Sequence, residues 1–374
     1  MLRIGFNALC AENKSGTGRY AAQLILALAR LDRQNEYFVC VRSDSPLREL
    51  LAPFDNVHIF PVVTQNVFQR ILFERFRLPS WIRKNKLSLF HSPAFIAPGI
   101  CPAPSVVTIH DLVFHLFPNT VPALRRIYYN RAIPFSIRNA ALLLADSESS
   151  ARDLSRVFRV PMEKIRVTHL GVSESFFQPA NLARQQALRK LYHLPEKYLL
   201  TAGTLEPRKN LPALLKAYTQ RVQRDSTTPD LVITGRTGWG TDNLPLLLES
   251  LKITERVRLT GFVPDADLPE LYRMAMLFLC VSLYEGFGLP ILEAMASGTP
   301  VVAANNSSIP EVTGDTALLA DASRVDDIAA KICEALNTPV PTQHRAQSAR
   351  LRAETFTWEQ TARKTLKAYK QAIG

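Results

Sequence analysis

Tyr198-Leu199-Leu200-Thr201-Ala202-Gly203-Thr204-Leu205-Glu206-Pro207-Arg208-Lys209-Asn210-Leu211 changes character twice within one short segment. An apolar, β-branched run stops at Gly203, a loop carries two adjacent cations, and Asn210 stands where a helix would be capped. A strand running through a short loop into a helix is half of a βαβ unit. The same alternation recurs along the chain. Candidate strands fall at 2–7, 37–42, 56–62, 87–90, 104–109 and 141–145, then at 165–168, 198–202, 230–234, 256–259, 277–281 and 300–303. Helical periodicity marks 18–31, 211–224 and 268–274, and a last helical stretch, 358–373, has no strand after it. Two such series predict an α/β protein of two doubly wound domains. The boundary is expected near 171–179, giving domains 1–176 and 177–357.

Composition sets the outer limits. The 374 residues are 47% hydrophobic and 21% charged, ordinary for a soluble chain of two domains. The first residues lack a signal-peptide pattern, and no apolar run is long enough to cross a bilayer. The five cysteines are scattered without a Cys-x-x-Cys, which predicts free thiols and a cytoplasmic protein. The net charge of +12 is uneven. Residues 1–176 hold 22 Lys+Arg against 13 Asp+Glu, and the remainder hold 23 against 20. A basic half suits nucleic acid, an anionic membrane or a phosphorylated substrate, and motifs must choose between them.

Ligands of open α/β sheets bind beyond the carboxyl ends of strands. Arg208 and Lys209 occupy such an end, where Arg can grip a phosphate with two bonds and Lys acts as a point charge. A solvated basic turn would look the same in isolation. The second informative loop is Tyr284-Glu285-Gly286-Phe287-Gly288-Leu289-Pro290-Ile291-Leu292-Glu293. Its glycines let backbone N–H groups approach a diphosphate at a helix start. Glu293 is placed in the first helical turn and Glu285 just before it, so both can accept hydrogen bonds from polyol hydroxyls. A plain first-turn acid competes for Glu293.

These segments, with Gly261-Phe262-Val263-Pro264, Ile309-Pro310-Glu311-Val312 and the Glu285-x7-Glu293 spacing ahead of Ala-Met-Ala-Ser-Gly-Thr-Pro-Val, resemble family 4 retaining glycosyltransferases of the GT-B fold. The resemblance covers most of the chain and is strongest over 198–320. It implies two facing Rossmann-like domains with a nucleotide-sugar cleft between them, and a last helix that returns to the first domain. It assigns Arg208 and Lys209 to the leaving diphosphate. Glu285, with the amides of Gly286, Phe287, Gly288 and Leu289, is assigned to the sugar, Glu293 to the ribose, and Phe262 and Val263 to the base. Gly203 and Thr204 flank the phosphates. Thr204 stands where many relatives carry another basic residue, and this loop is one residue shorter.

In the first half, Thr108-Ile109-His110-Asp111 puts His110 at a strand end, where the resemblance gives it a contact with the donor sugar. A His satisfied within the loop is the plainer alternative. Gly16-Thr17-Gly18-Arg19-Tyr20-Ala21 matches a dinucleotide fingerprint in letters, but its glycines come too late after the strand. In the family they approach the donor phosphates or the acceptor. Asp265-Ala266-Asp267 resembles a metal signature but lies where a helix cap is expected, so no metal and no cofactor beyond the nucleotide-sugar co-substrate are predicted. Residues 68–84 mix Phe73, Phe76 and Trp81 with Arg70, Arg75, Arg77, Arg83 and Lys84. They suit a core helix with a solvated face, or a peripheral contact with an anionic membrane.

The function these readings imply is transfer of a hexosyl group, with mannose from GDP-mannose preferred, to a glycan or lipid-linked glycan. The front-face route is favoured because no carboxylate of the first half has a nucleophile's setting. A nucleotide-sugar epimerase or a phosphorylase would keep the fold, but their acid–base pair or pyridoxal lysine has no signature here. A basic nucleic-acid binder lacks aromatic stacking motifs, so nucleic acid is not expected as a partner.

Overall fold

The computed structural model describes residues 1–13 and 15–374. Its strands form where apolar runs can be buried on both faces. β4 (Leu89–Ser92), β5 (Ser105–Ile109), β6 (Leu142–Ala145), β11 (Leu277–Cys280) and β12 (Val301–Ala304) are buried along their whole length. That is the pattern of central strands in parallel sheets covered by helices. The outer strands β3 (Val57–Val62) and β10 (Val257–Gly261) are largely exposed, and β3 tolerates Pro61 because its free edge needs no donor there.

With β1 (Arg3–Asn7), β2 (Glu36–Arg42) and β7 (Ile165–Val167), the first sheet runs β3-β2-β1-β4-β5-β6-β7. With β8 (Tyr198–Ala202), β9 (Asp230–Thr234) and β13 (Leu318–Ala320), the second runs β10-β9-β8-β11-β12-β13. All pairings are parallel. Both sheets are therefore doubly wound, the class expected from the alternation. In each, the order reverses once, between β1 and β4 and between β8 and β11. Helices leave opposite faces at such a point and open a crevice at the strands' carboxyl ends. β13, only three residues long, escaped the sequence reading.

The chain divides into two compact units. The first is Met1–Leu116, Ala123–Gly171 and Thr357–Gly374, and the second is Phe117–Pro122 with Val172–Phe356. Relative to 1–176 and 177–357, residues 172–176 count with the second unit, because Phe176 packs edge-on against Tyr272 and the Arg273 guanidinium bonds the Ser175 carbonyl. Phe117–Pro122 joins it too, through Phe117 beside Tyr284 and the Trp239 indole N–H donating to the Thr120 carbonyl at 2.7 Å.

The last helix, Trp358–Ile373, belongs to the first unit and lies along Gly16–Leu31. Its fully buried Tyr369 shares a hydrogen bond of 2.7 Å with His91 Nδ1, and His91 Nε2 meets Thr108 Oγ1 at 2.8 Å. Burial pulls the His91 pKa down to about 3, so its ring is neutral and one nitrogen donates while the other accepts. Burying an aromatic side chain of this kind is worth about 1.5–3 kcal/mol.

The basic-aromatic stretch is the helix Val67–Leu72, a π-turn Phe73–Arg77 and the helix Leu78–Lys84. Phe73 is buried in the first unit's core, and Trp81 packs on Phe60 with ring centres 5.3 Å apart. Those two aromatics are therefore core rather than interface. Phe76 is exposed, as are Val67, Phe68 and Leu72. Among the described residues no helix is long and apolar enough to cross a membrane.

Candidate active site

The second sheet's reversal brings the two informative loops side by side, since β8 and β11 are neighbours. Gly203 ends β8 with φ at +133°, a conformation a side chain would strain, and a Cβ there would lie 3.2 Å from Lys209 Cε. The turn Pro207–Lys209 then lifts both cations towards the β11 loop. Lys209 Nζ donates to Glu285 Oε1 at 2.7 Å, and Arg208 Nη1 donates to Glu285 Oε2 at 2.7 Å and to the Tyr284 carbonyl at 3.0 Å. Arg208 also pairs through Nε with Glu206.

Glu285 is the hub of this cluster. It is buried, and Ser282 Oγ donates to its Oε1 at 2.7 Å. Its own N–H donates to Ser307 Oγ at 3.0 Å, and its carbonyl accepts from Ser308 Oγ at 2.9 Å. Burial would raise its carboxyl pKa, but Arg208 and Lys209 outweigh that and hold it at about 2. The site thus locks Arg208, Lys209 and Glu285 together at the reversal point, with a second carboxylate, Glu206, on the other side of Arg208. The sequence pointed to those three residues but not to Ser282, Ser307 or Ser308. A serine carries no directional signal until the fold places it beside a carboxylate.

Gly288 precedes the helix Leu289–Ala296 with φ at +100°, and its carbonyl accepts from the N–H groups of Ile291 and Leu292. Phe287 is buried against Phe356, which pins the loop. Because the helix starts at Leu289, Glu293 lies beyond the first turn rather than in it, buried and accepting a 3.0 Å bond from the Tyr272 hydroxyl. Thr204 is half-buried just past β8, Val263 is buried and Phe262 exposed beyond the carboxyl end of β10.

Two expected caps are not caps. Asn210 sits before Leu211–Arg224 in the left-handed region, and its amide donates instead to the Val281 and Ala322 carbonyls at 3.1 and 2.8 Å. It ties the two loops together. Asp267 precedes Leu268–Met274, but its carboxylate is taken by Arg184 and the Tyr192 hydroxyl. An ion pair outbids the helix's backbone donors for a nearly buried acid. Among the described residues no three His, Cys, Asp or Glu side chains gather as metal ligands. All five cysteines are free, three of them buried and Cys101 and Cys333 half-buried.

In the first unit, His110 follows β5 and is buried. Its Nδ1 lies 2.7 Å from Asp146 Oδ2 and its Nε2 lies 2.8 Å from the Pro93 carbonyl. A carbonyl only accepts, so Nε2 carries a proton. Burial opposes charge on the ring, yet the Asp146 carboxylate outweighs it and the His110 pKa stands above its usual 6.5. Both nitrogens are engaged, which makes His110 an anchor for the loops after β4 and β5. The Tyr20 ring meets it edge-on at 4.9 Å, linking it to the helix that Gly16 opens. A Cβ on Gly18 would fall 2.0 Å from the Asn13 carbonyl oxygen, so that glycine is needed for the fold of its own loop.

The profile described as "Glycosyl transferases group 1" matches residues 185–352, and "Glycosyltransferase Family 4" matches residues 14–176. An O-antigen chain mannosyltransferase B of Escherichia coli is 35% identical over 308 residues, 81% of each chain. Among solved structures, a sucrose-phosphate synthase from Thermosynechococcus elongatus aligns with a TM-score of 0.78 at 19% identity over 99% of both chains. HepE of Anabaena, in complex with UDP-glucose, aligns at 0.77 and 19% identity over 99% of this chain and 100% of that one. The chain belongs to the family 4 glycosyltransferases of the GT-B fold, enzymes that depend on a nucleotide sugar.

Proposed function

We propose that this glycosyltransferase moves mannose, with retention of configuration, from GDP-mannose to a glycan or lipid-linked glycan. The observation that carries the reading is the buried Glu285 holding Arg208 and Lys209 at the β8/β11 reversal. Two preorganised cations stabilise charge that develops as a diphosphate leaves. The preference for mannose rests on the mannosyltransferase relative; the UDP-glucose bound by HepE keeps a UDP sugar as the competing donor. In the front-face route, the acceptor oxygen bonds the anomeric carbon as the bond to phosphate breaks. The nucleoside diphosphate keeps that electron pair, and its phosphate oxygen takes the acceptor's proton. Glu285 and the amides of 286–289 orient the sugar, Glu293 the ribose, and Phe262 and Val263 meet the base. No metal is needed in this scheme, because Arg208 and Lys209 supply the positive charge and Asp267 is committed to Arg184.

A cytoplasmic enzyme seated on the membrane's inner face suits a lipid-linked acceptor. The exposed Val67, Phe68, Leu72 and Phe76 beside Arg75 and Arg77 support that seat. A thermal-shift panel of nucleotide sugars in EDTA tests the donor. GDP-mannose should raise the melting temperature most, since a ligand that binds only the folded chain stabilises it by mass action. A larger shift with UDP-glucose, or shifts that require Mn²⁺ or Mg²⁺, would overturn the donor or the metal-free scheme respectively.

A further inference from the structure

The first sheet has its own reversal, between β1 and β4, and an acid stands at its edge. Asn7, the last residue of β1, is buried, and its side chain is fixed at both ends. Its Oδ1 accepts from the Leu9 N–H at 3.3 Å and its Nδ2 donates to Glu74 Oε1 at 2.8 Å. Glu74 belongs to the π-turn Phe73–Arg77, the one π-helical element among the described residues. Such turns cost regular hydrogen bonding and concentrate at functional sites. Arg70 Nε stands 3.7 Å from the same Oε1 and is itself buried with no hydrogen-bond partner among the described residues. Glu74 Oε2 has no hydrogen bond among the described residues.

Burial raises the Glu74 pKa against the pull of Arg70 and Asn7. The Tyr128 hydroxyl is shifted upward mainly by its own burial, with smaller effects from the charges of Glu74 and Arg70. Exposed apolar side chains, Leu72 and Phe76, flank the acid along the chain. A carboxylate oxygen to accept, a guanidinium N–H to donate and apolar surface nearby are what a pyranose with adjacent hydroxyls needs. The residues assigned to the diphosphate, ribose and base lie in the other unit, and the first unit's donor candidates are His110 and the Gly16–Gly18 loop, so Glu74 itself carries no donor assignment.

We infer that Glu74, positioned by Asn7 with Arg70 beside it, is a subsite for the acceptor glycan, its free Oε2 accepting a hydrogen bond from an acceptor hydroxyl. The inference rests on the glycan-acceptor reading proposed above, and the test separates the two. Glu74→Gln keeps the shape and an oxygen for Asn7 but loses the charge. Mannotriose serves as the probe. Saturation-transfer NMR detects it on the wild-type protein without any donor, and the signal should fall about 10-fold or more in Glu74→Gln, as expected for a lost charged hydrogen bond. With the nucleotide sugar that stabilises the protein best, the variant's KM for mannotriose should rise by about the same factor. Hydrolysis of that donor in the absence of acceptor should not change. An unchanged mannotriose signal and KM in a variant of wild-type melting temperature would overturn the subsite. So would donor hydrolysis and transfer falling in step, because that outcome assigns Glu74 to the donor or to the scaffold. Failure of wild-type donor hydrolysis would count against the donor reading alone.

Discussion

At the β8/β11 reversal a buried carboxylate has every oxygen occupied, with Glu285 bound to Lys209, Arg208 and Ser282. At the β1/β4 reversal Glu74 has one oxygen held by Asn7 and the other open. The first arrangement lowers a pKa and the second raises one. On the function proposed above, the difference separates a site that meets concentrated negative charge from one suited to neutral hydroxyls. Cations held by an internal acid are in position before a diphosphate comes, whereas Glu74, with one oxygen open and a single guanidinium 3.7 Å away, offers no such paired positive charge.

The largest effect should come from breaking the charged side. Arg208→Ala or Lys209→Ala should cut sugar transfer about 100-fold or more, as when a donor to developing charge is removed. Each also strips a partner from buried Glu285, which destabilises by about 3–5 kcal/mol in typical buried pairs. Adding Glu285→Gln should therefore recover melting temperature without recovering transfer. Wild-type transfer in either single variant would dissolve the contrast.

Next in size are Glu285, in the loop after β11, and Glu293, in the helix that follows it. Glu293→Ala should weaken guanosine diphosphate binding by about 10-fold or more, the loss of a charged hydrogen bond, whereas Glu285→Ala should spare the diphosphate and damage transfer. Calorimetry on both variants decides this, and equal binding would remove Glu293 from the ribose.

A smaller effect tests the first unit's ion pair. The folded His110 pKa lies above its unfolded 6.5. Its contribution to stability is therefore fully present below pH 6.5 and is lost as pH rises through the folded value. Melting temperature should decline above neutrality more steeply in the wild type than in His110→Gln. Parallel curves would mean that His110 is neutral in the fold.

The smallest effect concerns the surface around Glu74. Each exposed basic residue near an anionic leaflet is worth about 1 kcal/mol and is screened by salt. The protein should sediment with anionic vesicles at low salt, and Arg75→Ser with Arg77→Ser and Arg83→Ser should abolish this. Equal binding to neutral and anionic vesicles, or none to either, would leave the basic face to a phosphorylated soluble acceptor.

The strand ends, the Arg208-Lys209 loop and the Glu285–Glu293 spacing were legible because each depends on local signals. Apolar runs give the strands, and glycine, proline and charge fall at fixed offsets around them. Buried parallel strands read clearly since every residue on them is apolar, while β13 is too short to show a period. Side-chain partners were a different matter. Asn210 and Asp267 occupy the positions expected of caps, yet their polar groups serve carbonyls and a cation brought from distant segments. The sequence by itself determined the two doubly wound sheets and the residue types at the donor loops, because periodicity and loop chemistry are written within a few residues. Only the tertiary structure decided that Glu285 bonds both cations, that Glu293 binds Tyr272, and that Asn7 orients Glu74. A hydrogen bond of under 3.5 Å between residues 67 apart, as for Asn7 and Glu74, has no local signature and exists only once the sheet has set its register.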